Sequence, residues 1–63
     1  MTFSEKVKFV RAKLLLSQED LAKRLDTSFA TVNRWETGRT EPNYSKQRAF
    51  AEFCKKNNID FEE

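Results

Sequence analysis

The sequence predicts a compact all-α domain of four to five helices, and three observations carry that reading. Only one Gly and one Pro occur in 63 residues, which leaves little material for irregular connections. Apolar residues recur at steps of three and four, the period of a helix with one buried face. Thr2, Ser17, Ser28 and Asn43 each stand just ahead of such a run, where a side-chain oxygen can accept from the unpaired amides of a first helical turn. No repeat, linker or low-complexity stretch divides the chain, so residues 1–63 read as a single domain. A core this small places stability near the low end of the usual range of about 5–15 kcal/mol.

Helix one opens at a capping box, Thr2-Phe3-Ser4-Glu5, in which Thr2 accepts from the first turn and Glu5 reaches back. Phe3, Val7, Val10 and Leu14 form its inward stripe; Phe9 lies off that stripe and is expected to be exposed. Leu14-Leu15-Leu16 closes the helix. Ser17 caps a second helix running to about Leu25, with Glu19 and Asp20 in the first turn, where the helix dipole favours negative charge. Its inner face is Leu21, Ala22 and Leu25, and the small Ala22 lets another helix cross closely. Asp26-Thr27-Ser28 forms the turn, and Ser28 caps a third helix. That helix stops near Gly38, which enters a left-handed conformation without steric cost. After the loop Arg39 to Pro42, Asn43 caps a fourth helix with Ala49, Phe50, Phe53 and Cys54 inward. Asn57-Asn58-Ile59 reads as a helix stop with an apolar residue folding back, and a partial turn is expected around Phe61.

Composition excludes several classes of function. With one Cys and no His, the chain has neither a disulfide framework nor a plausible zinc site. It has no Gly-rich phosphate loop and no constellation of acid, base and nucleophile, so the reading is not an enzyme, with no cofactor, metal or small-molecule ligand. Glu19 and Asp20 are explained by the helix start, and Glu5, Glu52 and Glu62 read as solvated helix charges. Cys54 reads as a small buried hydrophobe. No apolar run approaches the ~20 residues that span a bilayer, and no signal-peptide core follows the N-terminus, so a soluble, cytoplasmic protein is expected. All twelve basic residues lie at or before Lys56, against seven acidic ones in the same stretch, a net of +5 there. Such an excess favours an anionic partner, although a basic face is also ordinary solvation for a helical domain.

Helix three is the informative element. At about 100° per residue, with Phe29 set to zero, Val32 falls near 300° and Trp35 near 240°, toward the core. Phe29, Asn33, Thr37, Ala30 and Arg34 spread across roughly 0–140° on the opposite side. That arc mixes an apolar ring, a methyl, an amide, a hydroxyl and a guanidinium, the groups that read base edges in the major groove, whereas a solvating face is typically rich in Lys and Glu. Arg34 can donate twice to guanine, Asn33 can pair with adenine, and Phe29 and Ala30 can lie against a thymine methyl. Packing of Phe29 on a neighbour, with Arg34 as a plain surface charge, is the competing structural reading.

The stretch Gln18 to Gly38, with Gln opening helix two, the Leu-Ala pair, Ser capping helix three and the close Val-x-x-Trp-Glu-x-Gly, resembles the helix-turn-helix of the phage-repressor and Cro-like (XRE-type) family. The resemblance implies a lambda-repressor-like DNA-binding domain with its motif at about residues 18–37. It implies base contacts from Phe29, Ala30, Asn33 and Arg34, and phosphate contacts from Gln18, Ser28, Thr37 and Arg39, with Gln18 also supporting the recognition helix. It further implies a structural ion pair between Arg11 and Glu36. The chain departs from the family where Gly is usual: Leu15 and Asp26 occupy those positions, and Thr27 replaces the usual apolar turn residue. Asp tolerates a left-handed backbone; Leu does so poorly, so either Leu15 is strained or helix one ends differently.

These readings converge on a sequence-specific regulator of transcription, a repressor in expectation, that inserts residues 29–37 into the major groove of double-stranded DNA as a homodimer. Ile59, Phe61 and the exposed part of helix four are the candidates for self-association. The rival is a protein-interaction module using Phe29, Phe9 or helix four. RNA binding is disfavoured by the absence of a strand pattern carrying stacking aromatics, since Trp35 falls on the inner arc.

Overall fold

Each of the four helices in the computed structural model, which describes residues 1–61, starts at a polar cap: α1 (Phe3–Leu14), α2 (Gln18–Arg24), α3 (Phe29–Thr37) and α4 (Tyr44–Lys56). Thr2 and Glu5 form the expected capping box, Glu5 N–H donating to Thr2 Oγ1 at 3.2 Å and Thr2 N–H to Glu5 Oε1 at 2.8 Å. A second box, absent from the sequence reading, joins Ser17 to Asp20: Asp20 N–H donates to Ser17 Oγ at 3.0 Å and Ser17 N–H to Asp20 Oδ2 at 3.2 Å. Ser28 accepts from Thr31 N–H at 3.1 Å and Asn43 from Lys46 N–H at 3.0 Å. Every cap therefore satisfies an amide that the helix itself leaves unpaired.

All four helices also end alike. Leu15, Asp26, Gly38 and Asn58 take left-handed backbones, with φ of 56°, 55°, 75° and 57°. The following amide then donates five residues back: Leu16 to Arg11 O at 2.9 Å, Thr27 to Ala22 O at 2.8 Å, Arg39 to Arg34 O at 3.3 Å and Ile59 to Cys54 O at 2.9 Å. These are Schellman closures. Helix one thus ends with Leu15 in a conformation unfavourable to it, and its side chain is 90% exposed. Leu14 and Leu16 on either side pack against the core and hold the turn in place.

The core is built from Val7 and Val10 of α1, Leu21 and Ala22 of α2 with its cap Leu25, Val32 and Trp35 of α3, and Phe50 and Cys54 of α4, closed by Ile59. The α3 helix packs on both α1 and α2. Phe3 joins three elements, meeting Trp35 edge-on at 5.5 Å between ring centroids and Phe50 at 5.1 Å. Burial pushes the Cys54 thiol up to about 11, so the thiolate is scarce at neutral pH and the residue serves as a hydrophobe.

Two expectations are corrected at the C-terminal end. Phe9 is half-buried, because Phe61 folds back onto it with ring centroids 5.6 Å apart; a face that helical periodicity leaves open is covered by chain beyond α4. Phe61 carries no helical turn and instead packs near Phe50, under the Lys6 ammonium, which lies 5.4 Å from its ring centroid. Ile59 belongs to the core of its own chain and is not available as a surface for self-association. Glu62, read as a solvated helix charge, lies outside the described residues.

A left-handed backbone costs a non-Gly residue about 1–2 kcal/mol, partly offset for Gly by its more flexible unfolded chain. Leu15→Gly is therefore expected to raise stability by about 0.5–1 kcal/mol in denaturant unfolding. A loss of stability would mean that the exposed leucine side chain contributes packing that outweighs its backbone strain.

Candidate nucleic-acid interface

The α3 helix divides along its length as its periodicity requires. Val32 and Trp35 are buried together with Glu36, while Phe29, Ala30, Asn33, Arg34 and Thr37 are exposed. Phe29 is 54% exposed, so it is a large apolar side chain left on the surface. A nine-residue helix is too short to persist on its own; its direction is set by what holds its inner side.

That hold is polar as well as apolar. Arg11 of α1 meets Glu36 with a bidentate pair, Nε to Oε2 at 2.5 Å and Nη2 to Oε1 at 2.9 Å. The remaining guanidinium nitrogen, Nη1, donates to Leu16 O at 3.2 Å, which pins the turn after α1. Gln18, the first residue of α2, donates from Nε2 to Glu36 Oε1 at 3.1 Å. Ser4 Oγ donates to the Glu36 carbonyl oxygen at 2.6 Å. One residue of α3 is thus tied to both ends of α1 and to the start of α2. Burial alone would raise the Glu36 carboxyl; the hydrogen bonds from Arg11 and Gln18 and the Arg11 charge outweigh it and hold the group below its ordinary value. The Glu36 hydrogen bond raises Arg11 in turn.

In front of this anchor the outward side chains differ in how free they are. Among the described residues, the guanidiniums of Arg34 and Arg39 have no hydrogen-bond or ion-pair partner. Thr37 Oγ1 donates to Arg34 O at 3.0 Å, so its proton is engaged within its own helix. Ser28 Oγ lies 2.9 Å from Thr31 Oγ1. The Gln18 side-chain nitrogen also reaches Asn33 Oδ1 at 3.4 Å. Phe29, Ala30, Asn33 and Arg34 therefore share one exposed face, bordered by Ser28, Thr37 and Arg39, with Gln18 behind it. The helix-turn-helix family description matches residues 7–57, most of the chain. The chain belongs to the XRE-type helix-turn-helix family.

It is 34% identical over 53 residues to the HTH-type transcriptional activator BcrR of Enterococcus faecalis, a match covering 84% of this chain and 26% of that protein. The chain thus spans about a quarter of the length of that relative. No solved structure matches. As a helix-turn-helix domain the chain is a DNA-binding unit of the kind that regulates transcription, and every residue from Arg11 to Arg39 discussed above lies inside the matched span.

Two features of this helix-turn-helix escaped the sequence reading. Lys46 of α4 donates from Nζ to the carbonyl oxygen of Asp26 at 3.1 Å, a cation on the C-terminal end of α2 that stabilises the turn between the motif's helices. The Gln18–Asn33 contact links residues fifteen apart in sequence, and no local pattern records it. The Ser17–Asp20 box was legible in principle from Ser-x-x-Asp, a variant of the more familiar pairing with Glu.

The anchor makes a signed prediction. A carboxyl whose folded pKa is depressed contributes stability that is present above its unfolded value, near 4.5 for Glu, and is lost as pH falls through the folded value. Glu36→Gln is expected to lower stability by about 1.5–3 kcal/mol at neutral pH, less than for a fully buried pair because Arg11 is 27% exposed. The gap to wild type is expected to narrow as pH falls below about 4 in denaturant titrations. A gap that stays constant into strong acid would show that the charge of Glu36 is not what holds α3. Glu5 and Asp20, lowered by their capping bonds, lose stability in the same window in both proteins and so cancel in the difference.

Proposed function

We propose that this domain is a sequence-specific regulator that inserts α3 into the major groove of double-stranded DNA and acts by occupying an operator, without catalysis. The supporting observation is the exposed face of α3: an apolar ring, a methyl, an amide and an unpartnered guanidinium, side by side on a helix anchored from behind. Phe29, Ala30, Asn33 and Arg34 are the base-contacting residues in this reading. Ser28, Thr37 and Arg39 lie toward the phosphates; Arg39 has its donors free, whereas Thr37 must release a helix carbonyl and Gln18 already has both amide protons engaged inside the domain. Gln18 acts in this scheme chiefly through the residues it holds.

The sign of regulation follows from where the operator lies: repression where it overlaps a promoter, and activation, the role in the name of the Enterococcus relative, where it lies beside one. We propose a homodimer on DNA with half-sites about one helical turn, roughly 34 Å, apart. With Ile59 in the core and Phe61 packed on Phe9, the exposed side of α4 is the remaining candidate surface. Such a protein works in the cytoplasm, where its DNA is. No described helix is long and apolar enough to cross a membrane.

Selection of bound duplexes from a random library, with titration at two salt concentrations, tests the reading. A selected motif with steeply salt-dependent affinity is expected. Arg34→Ala is expected to cost about 1–3 kcal/mol at the preferred site and relax one base position. Arg39→Ala weakens all sequences alike and lowers the salt slope by about one. Absence of any selected motif, with binding insensitive to salt, points instead to a protein-interaction module built around Phe29.

A further inference from the structure

The polar contacts behind α3 have a direction. The Glu36 carboxylate offers only acceptors, so the part of the Gln18 amide that approaches Oε1 at 3.1 Å must be its NH₂ group. The alternative orientation would set the Gln18 carbonyl oxygen against a carboxylate oxygen. Arg11 enforces this: its bidentate pairing keeps Glu36 ionised and fixes the carboxylate plane. The same Gln18 nitrogen lies 3.4 Å from the Asn33 amide and presents its second proton there, so the Asn33 atom turned toward it is the carbonyl oxygen Oδ1. Asn33 is exposed, and what remains for the outer face of α3 is its NH₂ group, with both protons free.

Adenine recognition by an amide needs both atoms, the oxygen accepting from N6 and the nitrogen donating to N7. Turning both onto an adenine edge takes Oδ1 away from Gln18 and leaves a Gln18 proton without its partner. Resting on the reading of α3 as the groove-facing helix, we propose that Asn33 acts as a hydrogen-bond donor only. Its polarity is set from Arg11 through Glu36 and Gln18. It selects bases with a keto oxygen in the major groove, guanine or thymine, over those with an amino group there. Gln18 is in this scheme a positioning residue for specificity, and the adenine pairing expected of Asn33 from its residue type is replaced by keto recognition.

The experiment begins with library selection on wild type and Asn33→Ala, which identifies the base pair that Asn33 reads. Two duplexes are then built at that pair, one lacking the exocyclic amino group and one lacking the keto oxygen. Comparing each with the parent duplex, for wild type and for Asn33→Ala, cancels the effect of the analogue on the duplex itself. The expected result is coupling of Asn33 to the keto oxygen of at least about fivefold in affinity, with coupling to the amino group absent within about twofold. In Gln18→Leu, checked for folding by thermal melting, the amide is released and coupling to the amino group appears. Coupling to the amino group in wild type overturns the proposal, whatever the fate of Gln18→Leu. So does a folded Gln18→Leu whose coupling pattern matches wild type. A selected motif that Asn33→Ala leaves unchanged also overturns it, while leaving DNA recognition by the domain intact. Selection of no motif removes the underlying reading and this one with it.

Discussion

The ion pair between Arg11 and Glu36 is the constraint on which the rest of the domain depends. Each side chain does more than pair. Arg11 accepts the Leu16 amide at its own carbonyl and donates to the Leu16 carbonyl from its guanidinium, so it closes the turn that sends the chain from α1 into α2. Glu36 receives Gln18 from α2 on its carboxylate and Ser4 from α1 on its carbonyl. The relative placement of three short helices is therefore fixed at one carboxylate. Apolar contacts alone allow small helices to slide and rotate over one another, whereas a bidentate pair with further hydrogen bonds has a single geometry.

The helix ends show how little room the connections leave. Three residues separate α1 from α2 and four separate α2 from α3, and each link reverses direction through one left-handed residue. A glycine marks only one of the four such ends, Gly38, and that one was legible. Asp26 and Asn58 have short polar side chains suited to the left-handed region, and the sequence reading placed turns at both. Leu15 could not be read this way. Its conformation is imposed by its neighbours, since Leu14 and Leu16 must both return to the core and Arg11 holds the Leu16 carbonyl; tertiary packing overrides the local preference.

Legibility of the candidate site followed the same division. The two arcs of α3 could be drawn from helical geometry because the exposed and buried sets differ in chemistry, and the structure exposes and buries the same residues. The partnership of Arg11 with Glu36 came from family resemblance; twenty-five residues separate them, and periodicity has no reach at that distance. The Gln18–Asn33 contact was invisible for the same reason. Phe9 was misread because the covering residue, Phe61, lies beyond the last helix, where an apolar side chain carries no period to place it.

The anchor is also where stability and selectivity part. A well-packed apolar pair often replaces a buried ion pair without loss of stability, sometimes with a gain. Such a replacement at positions 11 and 36 could preserve the fold of this small domain and still remove the acceptor that orients Gln18. Asn33 would then meet DNA with its amide free to turn either way, and a contact with one polarity would become a contact with two. Hydrophobic burial has no donor and acceptor to assign, so it cannot supply that direction. On this reading the charge pair is retained in the domain because it transmits polarity from the scaffold to the surface that meets the bases.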